Sequence, residues 1–112
     1  MRMGTLLIWA GAAGGAAAQA TSIDGRAVFL DARKGNCASC HRAAADSSIA
    51  GASPLGPDLV GIKARYPDRA KLRAAVWDLS KVTTNTIMPP YGRHRILTEP
   101  EIDAVVRYLE TL

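Results

Sequence analysis

Two cysteines and a histidine packed into one short stretch, Cys37-Ala38-Ser39-Cys40-His41, constrain this chain more than any other feature of its sequence. C-x-x-C-H is the attachment signature of c-type haem. The spacing has a mechanical basis, because residues three apart on a helical turn face the same side with Cβ atoms ~5–6 Å apart. Two thiols so placed reach the two vinyl groups along one side of a porphyrin, and the histidine that follows is carried beneath the ring. Three other readings compete. Structural zinc needs four ligands, and outside the first twenty residues the chain offers only Cys37, Cys40, His41 and His94. A thioredoxin-type motif belongs beside a βαβ unit, and no alternating strand pattern is visible. A plain Cys37–Cys40 disulfide is the remaining reading in an oxidising compartment.

A staple of this kind is what such a chain needs. At 112 residues it holds one domain, and its aromatics are one Phe, two Trp and three Tyr, a meagre core for a small fold. Collagen, coiled coil and general disorder do not fit the composition, and multiple membrane spans would each need ~20 consecutive apolar residues. Residues 1–20 read as an export leader: Arg2, then Leu6, Leu7, Ile8 and Trp9, then the small-residue triplet Ala18-Gln19-Ala20. The alternative is an uncleaved anchor, against which stand the shortness of the apolar run and its interruption by glycines. The expected organisation is therefore a cleaved signal peptide over 1–20 and one domain over 21–112, located in the periplasm with no stable membrane anchor.

Once the leader is removed, only Met88 and His94 could supply a second axial ligand from outside the motif. Pro89 pushes Met88 towards extended backbone and Pro90 stiffens the loop, which favours Met88. A Met/His pair is the usual arrangement in electron-transfer cytochromes c. His94, between Arg93 and Arg95, reads as a surface residue. The net charge is +4 and the pI about 9.4. No basic stripe interleaved with aromatics points to nucleic acid. Arg93, His94 and Arg95 could steer an acidic partner or hold propionates.

The rest of the pattern predicts helices. One runs from a Ser22 cap through Arg33, with Gly25, Val28, Phe29 and Ala32 on one stripe and Gly35 ending it. A short turn is expected over Pro57 to Tyr66. A third helix starts at Asp68 and aligns Leu72, Ala75, Val76 and Leu79. The last starts at Thr98, which forms a T-x-x-E box with Glu101, and aligns Ile102, Val105, Val106 and Leu109. Two long loops, Ala43 to Gly56 and Lys81 to Arg95, lie between them. The class is all-α.

The haem motif after a helix, then Gly56-Pro57-Asp58-Leu59, then Met88 and a final helix with Tyr108-Leu109, resembles class I cytochrome c. The resemblance implies three to five helices wrapped around one covalently attached haem c, with thioethers at Cys37 and Cys40 and iron between His41 and Met88. It implies that the first and last helices cross where Gly25, Phe29, Val105 and Tyr108 meet, and that the Pro57 carbonyl accepts from the proximal imidazole. Leu59 and Tyr91 join Pro57 as expected pocket residues.

A narrower resemblance is to the SoxX family, mono-haem subunits of the SoxAX complexes of bacterial thiosulfate oxidation. It rests on Lys34-Gly35-Asn36-Cys37, on Arg65-Tyr66-Pro67-Asp68-Arg69-Ala70, on Met88-Pro89-Pro90-Tyr91-Gly92-Arg93-His94, and on the stretch from Ile96 to Leu112. This implies a heterodimer in which a SoxA subunit joins thiosulfate to a carrier-protein cysteine. The chain itself would be the non-catalytic electron-transfer subunit of that L-cysteine S-thiosulfotransferase, passing electrons to a downstream acceptor such as another cytochrome. With both thiols engaged by haem, no free cysteine is left as a nucleophile. A free-standing electron shuttle and a haem-free, disulfide-bridged binding domain are the other two functional readings.

Overall fold

The computed structural model describes residues 7–8, 10–12, 14, 22–49 and 55–112. The expected leader lies mostly outside the described residues, its Ala18-Gln19-Ala20 triplet entirely so. Among the described residues there is no strand, and no helix is long and apolar enough to cross a membrane. Four α-helices make up the regular structure: α1 (Gly25–Leu30), α2 (Ile62–Arg65), α3 (Arg69–Trp77) and α4 (Glu99–Leu109). Single 3₁₀ turns cover Cys37–Ser39 and Leu79–Lys81.

Local chemistry sets each boundary. At α4 the expected capping box is complete: Thr98 Oγ1 accepts from Glu101 N at 3.3 Å, and Thr98 N donates to Glu101 Oε2 at 2.9 Å. Pro100 falls in its first turn. Asp68 caps α3 by accepting from Ala70 N at 2.9 Å. Leu79 does not extend α3 as the periodicity suggested. The Asp78 carboxylate accepts from Ser80 N at 3.1 Å and from the Ser80 hydroxyl, and this local bonding competes with the helix. The chain breaks at Asp78, and Leu79 enters the next 3₁₀ turn.

Helix α1 is also shorter than expected. Its cap is Asp24, not Ser22, with the carboxylate accepting from Arg26 N and Ala27 N at 2.9 and 3.3 Å. It ends before Asp31, which is extended and accepts from Arg33 N at 2.9 Å. Gly35 N then donates to Val28 O at 3.2 Å, and Ala32 is left exposed. In the second predicted segment only Ile62–Arg65 is helical. Pro57 to Val60 instead run beside Cys40–Arg42, with Gly56 N and Leu59 N donating to Cys40 O and Arg42 O, both at 2.8 Å.

The core lies where α1 crosses α4. Phe29, Ile102, Val105 and Val106 are almost wholly buried, with Leu72 and Val76 of α3 against them. A Cβ on Gly25 would stand 1.9 Å from the Ala104 carbonyl oxygen, so the helices approach backbone to backbone. Phe29 meets Tyr108 edge to face at 5.3 Å. A polar clasp, not foreseen in the sequence, ties the Ala43–Ile49 stretch to both helices. Asp46 accepts from Arg26 Nε at 2.5 Å and from the Tyr108 hydroxyl at 2.9 Å, while Arg26 also donates to Ser48.

Two outcomes follow from this packing. Gly25→Ala should cost about 2–3 kcal/mol, because the obstruction is rigid backbone, read as a lower denaturant midpoint at unchanged slope. Asp46 is held well below the usual carboxylate range, chiefly by Arg26 and then by Ser48. A lowered native pKa gives stability that is present above the unfolded value of ~3.9 and lost as pH falls through and below it. Denaturant midpoints measured downward from pH ~5 should therefore fall more steeply in the parent protein than in Asp46→Asn.

Candidate functional site

The haem-motif turn is set by Asn36, whose left-handed backbone (φ 47°) is one that asparagine tolerates. Cys37 O then accepts from Cys40 N at 3.1 Å and His41 N at 2.9 Å. This closes a 3₁₀ turn, in which positions three apart eclipse, so the two cysteines share a side. Both thiols are free, and among the described residues no three His, Cys, Asp or Glu gather as a metal-ligand cluster.

Beside the turn opens a largely apolar slot in two adjoining lobes. Cys37, His41, Pro57, Tyr66, Met88 and Tyr91 line both lobes. Leu59 lines the inner lobe with Val105 and Leu109 of α4, and Cys40 the outer one with Ile87. Every site residue singled out in the sequence therefore lies on this one slot. His94 does not line it and is exposed, as expected.

The imidazole is oriented by a single bond. His41 Nδ1 donates to the Pro57 carbonyl at 2.8 Å, which leaves Nε2 as the nitrogen with a free lone pair. Gly56 makes room for the ring: a Cβ there would fall 2.5 Å from His41 Cε1 and 2.6 Å from Nδ1. Tyr91 is anchored across the slot, its hydroxyl donating to Gly35 O at 2.6 Å. Burial pushes the Tyr91 phenol and the Cys37 thiol each up to about 12, as expected of acids in an apolar wall. Met88 carries the shortest-range support, its N–H donating to Thr86 Oγ1 at 3.1 Å.

Sequence reasoning missed three contributors. The first is Gly56, read only as part of a G-P-x-L segment; what it accommodates is a ring fifteen positions earlier in the chain. Trp77 is the second, with its ring against Gly92, where a Cβ would come within 2.0 Å, and the Arg73 guanidinium 5.5 Å from its centroid. Asp78 is the third, buried to 2% exposure and bonded to Arg93 Nε at 2.6 Å. Arg93, which the sequence suggested could steer a partner or hold propionates, gives its Nε to this carboxylate and stays half exposed.

The family model described as Cytochrome c matches residues 22–112. No curated protein matches the chain. The chain belongs to the cytochrome c family: an electron-transfer haem protein of class I type, with covalently bound haem c as its cofactor. The residues present suit that group, since two free thiols, one oriented imidazole, a thioether and an apolar lining share one slot. Gly56→Ala should displace the imidazole and roughly halve the yield of haem-loaded protein or worse, the cost of ~1–3 kcal/mol for a forced shift being enough to do so; haem content per polypeptide by pyridine haemochrome checks this.

Proposed function

We propose that this chain is the electron-transfer subunit of a periplasmic thiosulfate-oxidising heterodimer of the SoxAX kind. It is exported by a leader cleaved after Ala20, carries haem through thioethers at Cys37 and Cys40, and holds the iron between His41 and Met88. The observation carrying the axial assignment is the 2.8 Å bond from His41 Nδ1 to Pro57 O, on a slot whose lining also contains Met88.

Haem, when bound, supplies one-electron chemistry; the rest is the work of this chain. Pro57 fixes the imidazole tautomer and makes Nε2 the more basic nitrogen. Met88 would supply a thioether to that haem, which would raise its potential relative to two nitrogen ligands and favour accepting an electron. Val105, Leu109, Leu59 and Leu72 exclude water from the inner lobe, and burial is a second lever on potential. Both thiols being engaged, the sulfur chemistry falls to the SoxA partner, and this subunit hands electrons to a further acceptor such as another cytochrome.

The subunit reading rests on the resemblance of three segments to SoxX. Arg65–Ala70 links α2 to α3 through the Asp68 cap, Met88–His94 is the thioether loop, and Ile96–Leu112 contains α4. The oxidised holoprotein should show the far-red Met–Fe(III) charge-transfer band and lose it in Met88→Ala. It should also co-purify with the SoxA encoded in the same genome. A haem-loaded protein that ignores SoxA leaves the free-standing shuttle in place of the subunit, and a band that survives in Met88→Ala removes the axial assignment.

A further inference from the structure

The stretch that carries Met88 is an arch with both feet on the same three residues. At its start, Val82 N and Thr83 N donate to Leu79 O, both at 2.9 Å. At its end, Gly92 N and Arg93 N donate to Trp77 O at 3.1 and 3.3 Å. Between the feet, among the described residues, no hydrogen bond joins Thr84–Pro89 to anything outside that stretch. The arch is therefore held at its feet on Trp77–Leu79 and, next to the second foot, at Tyr91, whose hydroxyl donates to Gly35 O and whose carbonyl accepts from Leu97 N.

Asp78 sits between the two anchoring carbonyls and is the one buried charged side chain among the described residues. One carboxylate oxygen accepts from Ser80 N at 3.1 Å and from the Ser80 hydroxyl, which shapes the turn at the first foot. The other accepts from Arg93 Nε at 2.6 Å, at the second foot. Its neighbours on either side touch the site: the Trp77 ring packs on Gly92 and Leu79 lines the slot. We propose that Asp78 is a positioning residue for the sixth ligand, bolting both feet of the arch so that Met88 stays in the slot. The proposal rests on Met88 as the axial ligand.

Removing the partner of a buried charge is costly. Arg93 is half exposed, so water recovers part of that cost and the fold survives its loss. The arch then opens more often, and an external ligand competing for the Met88 position binds more tightly in proportion to the open fraction. The experiment is an imidazole titration of the oxidised holoprotein, followed by loss of the far-red band, in the parent, Arg93→Gln, Arg93→Lys and Asp78→Asn. The apparent imidazole Kd should fall about tenfold in Arg93→Gln and further in Asp78→Asn. Arg93→Lys should recover part of the loss, with helix content by circular dichroism unchanged in both Arg93 variants. Equal imidazole affinity in the parent and both Arg93 variants, to within about twofold, overturns the role of Asp78. A parent holoprotein with no far-red band overturns the Met88 assignment, and this inference with it.

Discussion

The 2.8 Å bond between His41 and the Pro57 carbonyl governs the site because it removes a choice. An imidazole has two nitrogens, and a ring free to turn could present either one. With Nδ1 committed to a backbone carbonyl, only Nε2 is left to act as a ligand. The bond requires the Gly56–Leu59 segment to lie beside Cys40–Arg42, which the two 2.8 Å backbone bonds between them enforce. It also requires a residue without a Cβ at position 56. The non-helical course of residues 57–60, where a helical turn was expected, is the structural cost of orienting one ring.

Much of this was legible where the signal is short-range. The Thr98–Glu101 box, the Asp68 cap and the helical stripe of α4 are each encoded within one or two turns of chain, and the structure has all three. The haem-motif turn and its slot follow from residue types at fixed spacing. What stayed illegible depends on partners far apart in sequence. Asp46 looks like an ordinary loop residue until Arg26 and Tyr108 are brought to it. Asp78 looks like part of a helix, and Arg93 like a surface charge, until they are found bonded to each other.

Aspartate accounts for most of the differences in element boundaries. Asp24 starts α1 later than Ser22 would, Asp31 ends it early, and Asp78 ends α3 one turn before the apolar period runs out. In each case a short carboxylate offers the backbone N–H groups nearby an alternative acceptor. Hydrophobic periodicity does not register that competition, which is why Leu79 counted as helical by spacing yet lies in a separate turn that places it on the slot.

The crossing of α1 with α4 bears on how the molecule can be assembled. Helix α1, just before the cysteine pair, packs against α4, so this contact closes a long loop and forms late in folding. Val105 and Leu109, which wall the slot beside Cys37, reach it only when α4 docks. Until α4 docks, the polypeptide presents the cysteine pair without that wall. Access to those sulfurs is widest before α4 docks, and its docking seals the slot beside them.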